Sequence, residues 1–416
     1  MSESTRDRQN DPSQIETMSI VEVVRRRPGM YIGSIDYHGL HEMLWEVVAH
    51  SLNDHLAGSV DRIAIRLDAD DSITVADNGL SMAIDVGSGT KSALERALTE
   101  EYRRETRADV YKVAPLSFSG DMLFVANALS SRLVAEVKRD GHVWRQEYKQ
   151  GVPQTNMVRL EPEPTTDTAA AITFWPDTAV FKDTRVDLDL LIERVRMTCY
   201  LNSRLTMEVI DARHGQERVH VFHFPDGVRS YVQSLTGIRR EVHRPISISA
   251  TVGTTRIDIA LQYNNNSVAN VLPFANNYHT FGGGGHLVGF YLALIRVLNN
   301  FGCMARDGSS LPQDDSPTIH IHNVRVGLSA VISIWLLEPQ FENAMLSRLH
   351  NPEVKEQVAA AVTEGLMRHF EQVAQDLDRI VRHLKGGSPI QRYTTSLTRD
   401  EQAARNEFRG TSSAEA

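Results

Sequence analysis

The stretch from Gly39 to Gly58 constrains this chain more than any other. Leu40, Met43, Leu44, Val47, Val48 and Leu52 recur at spacings of three and four, the stripe of a helix packed on a core, and Gly58 closes it. Two short runs follow at once, RIAIRL at 62–67 and SITVAD at 72–77, with acidic DADD between them. Apolar runs on either side of a polar turn predict a β-hairpin, and Asn78-Gly79 turns the chain out of it. A helix packed on a hairpin is the start of a mixed layered core, so the fold class is read as α+β.

At 416 residues the chain exceeds one ordinary core, which predicts two domains. A charged helix is expected at 91–110 and another from Met122 to Ser130, followed by strands near 131–138, 142–149 and 170–175 and a helix near 187–201. The texture changes near 220, where FPDGVRSYVQSL precedes the strand-like VHRPISISA and RIDIALQY. Beyond it, four glycines lead into an apolar helix at 281–301, a strand LSAVISIWLL ends at Glu338-Pro339, and one long helix is expected over 352–384. This sets boundaries at 1–20 for a loose polar arm, 21–220 and 221–390 for two domains, and 391–416 for a tail, disordered from Gly410. The net charge of -9 argues against a constitutive nucleic-acid binder, and the interleaved acids of 392–409 read as a solvated face. Cys199 and Cys303 lack CxxC spacing, which leaves small buried filler as their role. His320 and His322 alternate on an expected strand and read as ordinary polar positions, so no metal site is predicted from them. With no long apolar run, a cytoplasmic protein without a membrane contact is expected.

Several ordered motifs resemble the N-terminal half of the gyrase B and topoisomerase IV B family. They are VVRRRPGMYIG (23–33), GLHEMLWEVVAHSLNDHLAG (39–58), VADNG (75–79), NALS (127–130), RQEYKQGVPQ (145–154), FWP (174–176), GGGGHLVGF (282–290), VRVGLSAVIS (324–333) and EPQFE (338–342). The resemblance implies a GHKL, or Bergerat-type, α/β sandwich followed by a smaller transducer-like α/β domain. No EGDSA-like acidic motif is present, so DNA cleavage by this chain, and topoisomerase activity by it alone, are not expected.

The same resemblance marks a site. Glu46 matches the family's general base. His50 stands where the family carries a magnesium-binding Asn, after Ala49 in place of an acid, and imidazole suits transition metals better than magnesium. Glu46 and His50 share a helix face; an acid/base couple, part of a metal site and a space-filling histidine are all open readings. Asp77 matches the adenine-binding carboxylate, with Gly79 kept, but the DGRGIP that follows in the family is here NGLSMA, which puts Met82 beside the pocket. In YKVAPLSFSGDMLFVANALS the ends Tyr111-Lys112-Val113 and Asn127-Ala128-Leu129-Ser130 match, but Pro115, Leu116, Phe118, Asp121 and Met122 replace the glycines of a phosphate cradle. The lysine that meets the γ-phosphate in the family is Leu346, a threonine near adenine is Ala170, and Arg145 matches a pocket-rim arginine. Asn53 and Gly79 complete the expected lining.

These departures remove phosphate and magnesium contacts while the scaffold motifs persist. ATP and magnesium are therefore not expected, and neither is another cofactor. The pocket is read as taking an unidentified small molecule, with Glu46, His50 and Asp77 as acid/base groups of a cyclase or isomerase. The other readings are a non-catalytic regulator or resistance partner of gyrase, forming homodimers through the N-terminal arm or pairing with a gyrase subunit, and a residual GHKL ATPase. DNA contact by this chain alone is not expected.

Overall fold

The computed structural model describes residues 18–79, 91–101, 110–113, 122–139, 141–160, 168–302, 319–343, 345–386 and 398–412. Met82, Leu116, Phe118 and Cys303 lie outside them, as does the centre of the 111–130 stretch.

Ser19 opens Ile20–Arg26 (α1) through a capping box with Glu22. Gly29–Ile32 (α2) follows, and Asp36 caps Tyr37–Leu56 (α3) by accepting from the His38 N–H. The stripe predicted for α3 faces inward: Leu40, Met43, Leu44, Val47, Val48 and Leu52 are at most 1% exposed. Arg62–Leu67 (β1) and Ile73–Asp77 (β2) form the expected antiparallel hairpin. The 91–110 segment, expected as an exposed helix, is helical over Ala93–Thr99 (α4), where Leu94, Ala97 and Leu98 are buried. Then come Leu123–Ala128 (α5), Ser130–Arg139 (β3), His142–Lys149 (β4), the short Val152–Pro153 (β5) and Val158–Arg159 (β6), Ala169–Pro176 (β7), Leu188–Leu201 (α6), Thr206–Asp211 (β8) and Arg218–Phe222 (β9).

These strands make one sheet in the order β5-β4-β3-β7-β2-β1-β8-β9, with β6 beside β4. Among the described residues, only β1 and β8 run parallel in it. β2, β7 and β8 alternate buried and half-buried positions, so one face carries the core and the other is open. Residues of α3, α5 and α6 fill the covered face.

The second unit contains Val228–Thr236 (α7), Ile246–Val252 (β10), Thr255–Tyr263 (β11), Asn270–Ala275 (β12), Tyr278–His279 (β13), Gly285–Gly302 (α8), Ile321–Val324 (α9), Leu328–Trp335 (β14), Val354–Gln372 (α10), Ala374–Gly386 (α11) and Arg399–Ser412 (α12). Its sheet runs β10-β11-β14-β12-β13. Every position of β14 is buried, because Val228 and Val232 of α7 pack on Val331 from one side while α8 and α10 cover the other. Gly282–Gly285 allow close backbone packing: a Cβ on Gly284, which sits at φ 140°, would lie 2.5 Å from the Leu349 carbonyl oxygen. Among the described residues no helix is long and apolar enough to cross a membrane.

Three sequence expectations fail here. His320 and His322 lie on no strand; Asn323 Oδ1 accepts the His320 N–H at 3.0 Å and starts the short helix α9. The helix expected over 352–384 breaks at Val373, where φ −133° and ψ 65° leave helical space and α10 gives way to α11. The stretch read as solvated tail instead forms α12, with Asp400, Glu401 and Ala404 buried. Its signal was Thr398-Arg-Asp-Glu401, a capping box in which the Thr398 N–H donates to Glu401 Oε2 at 2.8 Å.

Candidate functional site

The helix stripe that builds the core also builds the site, one turn further round. Glu46, His50 and Asp54 follow each other at four-residue spacing on α3 and are 4%, 5% and 1% exposed. His50 Nε2 lies 3.7 Å from Asp54 Oδ2. Packed beside them, at the end of β2, is the Asp77 carboxylate. Ser51 Oγ donates to its Oδ2 at 2.6 Å and the Gly79 N–H to its Oδ1 at 3.0 Å. Burial pushes the Asp77 carboxyl above the usual carboxylate range, and the Ser51 and Gly79 bonds draw it partly back. Gly79 has no room for a side chain, since a Cβ would stand 2.5 Å from Val60 Cγ2. Ala170 is Asp77's ladder partner on β7 and is buried, so a methyl group lies beside the carboxylate.

Other expected lining residues are placed differently. Asn53 Oδ1 accepts the Val113 N–H at 2.8 Å, which fastens the 110–113 segment to α3. Met122 is 1% exposed and belongs to the first core. Tyr111 reaches the second unit, where its hydroxyl donates to the Thr254 carbonyl at 3.0 Å and its ring lies 6.4 Å from that of Trp335. Leu346 is buried, at φ 52°, in a loop tied to the glycine run by the bond from the Gly282 N–H to the Ser347 carbonyl at 2.7 Å. Arg145 is not brought to Asp77. Asp77 shares its ladder row with Ala170 and Val137, whereas Arg145 sits in the neighbouring row with Ala171 and Glu136, on the opposite face of the sheet. There it pairs with Glu147 at 2.7 Å and Glu136 at 3.4 Å.

Sequence reasoning missed Ser51, Asp54 and Tyr278. Ser51 and Asp54 stood within the GLHEMLWEVVAHSLNDHLAG motif, but their roles depend on where Asp77 and His50 come to rest. Tyr278, on the β12–β13 hairpin, packs against the first core. Nearby, Arg194 grips Glu42 at 2.7 and 3.2 Å and lies 4.3 Å over the Trp45 ring, on the turn before Glu46.

Chemically, the arrangement offers a buried carboxylate acceptor fixed by two neutral donors, next to a line of titratable side chains on one helix. A family model described as DNA gyrase B matches residues 227–392. The DNA gyrase B protein of Archaeoglobus fulgidus is 35% identical over 361 residues, 86% of this chain and 56% of that protein. The gyrase B protein of Halalkalibacterium halodurans is 36% identical over 387 residues, 91% of this chain and 59% of its own. The chain thus spans about half the length of the curated relatives it matches. Among solved structures, the 43K ATPase domain of Thermus thermophilus gyrase B, in complex with an aminocoumarin, superposes with a TM-score of 0.76 at 27% identity, covering 95% of this chain and 97% of that one. The topoisomerase IV ATP-binding domain of Francisella tularensis shares the fold, with a TM-score of 0.70 at 24% identity over 88% of this chain and 96% of that one. With the motifs in family order and both sheets in place, the chain belongs to the DNA gyrase B family, matching its N-terminal GHKL ATPase-type domain and transducer-like domain.

Proposed function

We propose that this gyrase-B-like chain holds, at Asp77, a small molecule other than ATP with magnesium. One observation carries the reading: His50, buried 3.7 Å from Asp54, stands where the family offers magnesium an amide oxygen. Magnesium is a hard ion that takes oxygen ligands in near-octahedral array. Imidazole nitrogen is a poor substitute for that oxygen. The Asp77, Ser51 and Gly79 corner, by contrast, suits any ligand with a polar hydrogen to donate, an adenine amine included.

On this reading residues 21–220 form the pocket domain, and 221–390 together with α12 form the transducer-like domain. Asp77 orients the ligand, while Glu46 and His50 exchange a proton with it, as cyclisation or isomerisation requires. The test is calorimetric titration with a non-hydrolysable ATP analogue plus magnesium, alongside an aminocoumarin as an adenine-site probe. The expected result is no magnesium-dependent affinity tighter than about 1 mM for the analogue. Tight, magnesium-dependent binding overturns the proposal and makes this chain a residual ATPase. Once a substrate is found, Glu46→Gln removes a limb of the pH–rate profile; an unchanged profile sinks the role given to Glu46.

A second reading, a dimerising partner of gyrase subunits, has its support at the N-terminus. Met30 is 72% exposed in the α1–α2 segment that matches the family's RRPGMYIG dimerisation region. Light scattering and co-purification with gyrase subunits decide it, a monomer with no such partner counting against it.

A further inference from the structure

Asn276 stands where the two units meet. It and Asn277 form the two-residue β12–β13 turn, at φ 47° and 71°, the left-handed pair that a type I′ hairpin needs. The Asn276 side chain is fully buried. Its Nδ2 donates to the Lys112 carbonyl at 2.8 Å and to the Leu336 carbonyl at 2.8 Å, and its Oδ1 accepts the Leu336 N–H at 2.9 Å. Asn277 Oδ1 accepts from Asn202 Nδ2 of the first unit at 2.9 Å.

Each of those partners is the root of something. Lys112 precedes Val113, whose N–H is held by Asn53 on α3, the helix that carries Glu46 and His50. Leu336 is the first residue after β14, at the start of the loop that bears Leu346. Tyr111 adds a bond to Thr254 between β10 and β11. The three residues 111–113 are therefore gripped from the pocket helix on one side and from the second sheet on the other. Because buried amide bonds of this kind are expensive to leave unmade, a shift of one grip is transmitted to the other rather than absorbed.

We infer that Asn276 couples the pocket helix α3 to the root of the 336–349 loop through Lys112–Val113, with no lysine reaching from that loop into the pocket. The inference goes beyond the proposed function and holds whichever molecule fills the site. Its test uses the full chain and no ligand. Amide hydrogen exchange is measured at Leu336 and Val113 in the wild type, Asn53→Ala, Asn276→Gly and the double variant; glycine keeps the left-handed turn while removing the side chain.

Asn53→Ala is expected to speed exchange at Leu336, in the other unit, and Asn276→Gly to speed exchange at Val113, since coupling is reciprocal. The double variant is expected to fall short of the product of the single effects by about 2-fold to 10-fold, as for residues that share a partner. Unchanged exchange at Leu336 in Asn53→Ala, or effects that multiply within error, overturns the inference. Should Asn276→Gly fail to fold, Asn53→Ala read at Leu336 decides alone.

Discussion

Two corners of the molecule are built from the same parts and held in different ways. In the first unit the Gly79 N–H donates to buried Asp77 at 3.0 Å; in the second the Gly284 N–H donates to buried Asp400 at 2.7 Å. The difference lies in what meets the other carboxylate oxygen. Ser51, a neutral hydroxyl, meets Asp77, and burial leaves that carboxyl raised. Arg348, a cation, meets Asp400 and fixes α12 across the glycine run. On the proposed function the Asp77 carboxylate, which meets a neutral hydroxyl, is left to a ligand, whereas Asp400, which meets a guanidinium, is a fastener. The space beside the glycine run before α8 is filled by the chain's own Asp400.

The largest effect that would break this comparison is Gly284→Ala. At φ 140° and 2.5 Å from the Leu349 oxygen, the new methyl group meets both backbone strain and overpacking. A loss of about 4 kcal/mol is expected in urea unfolding, and a loss below about 1 kcal/mol would show that the run is loosely packed. Asp400→Ala comes next, leaving the Gly284 N–H and Arg348 without their carboxylate; about 3 kcal/mol is expected from the same measurement.

Changing pH sharpens the contrast, because the corners carry groups of opposite sign. His286, on the first turn of α8 with its Nε2 2.9 Å from Thr280 Oγ1, is pushed down to about 3 by burial. Its folded value is depressed, so its contribution is complete above the ordinary histidine value of 6.5 and is lost as pH falls towards about 3. Roughly 3 kcal/mol is expected to be gone by pH 4, and His286→Gln should flatten that part of the stability–pH curve. Asp77 has the reverse sign. Its raised value means that stability is complete below 3.8 and declines as pH rises through the folded value. Asp77→Asn is therefore the smallest expected change: stability at pH 7 equal to or above that of the wild type, with binding of an aminocoumarin probe weakened. A clear loss of stability at pH 7 would mean that Asp77 too is a fastener.

The sequence alone determined the elements whose signals are local. The apolar spacing of α3, the hairpin at 62–77 and the family motifs were legible because period and turn chemistry act over a few residues. The cap at Thr398 and Glu401 was equally local and was passed over, which cost the reading of α12. Only tertiary structure decided how the site is assembled. Ser51 finds Asp77 across 26 residues and Tyr111 finds Thr254 across 143. Arg145 turns away because a ladder register, not its motif, sets the face on which a strand residue projects. The physical reason is that burial raises Asp77, that the cation at Asp400 silences its glycine corner, and that both depend on neighbours supplied by distant chain.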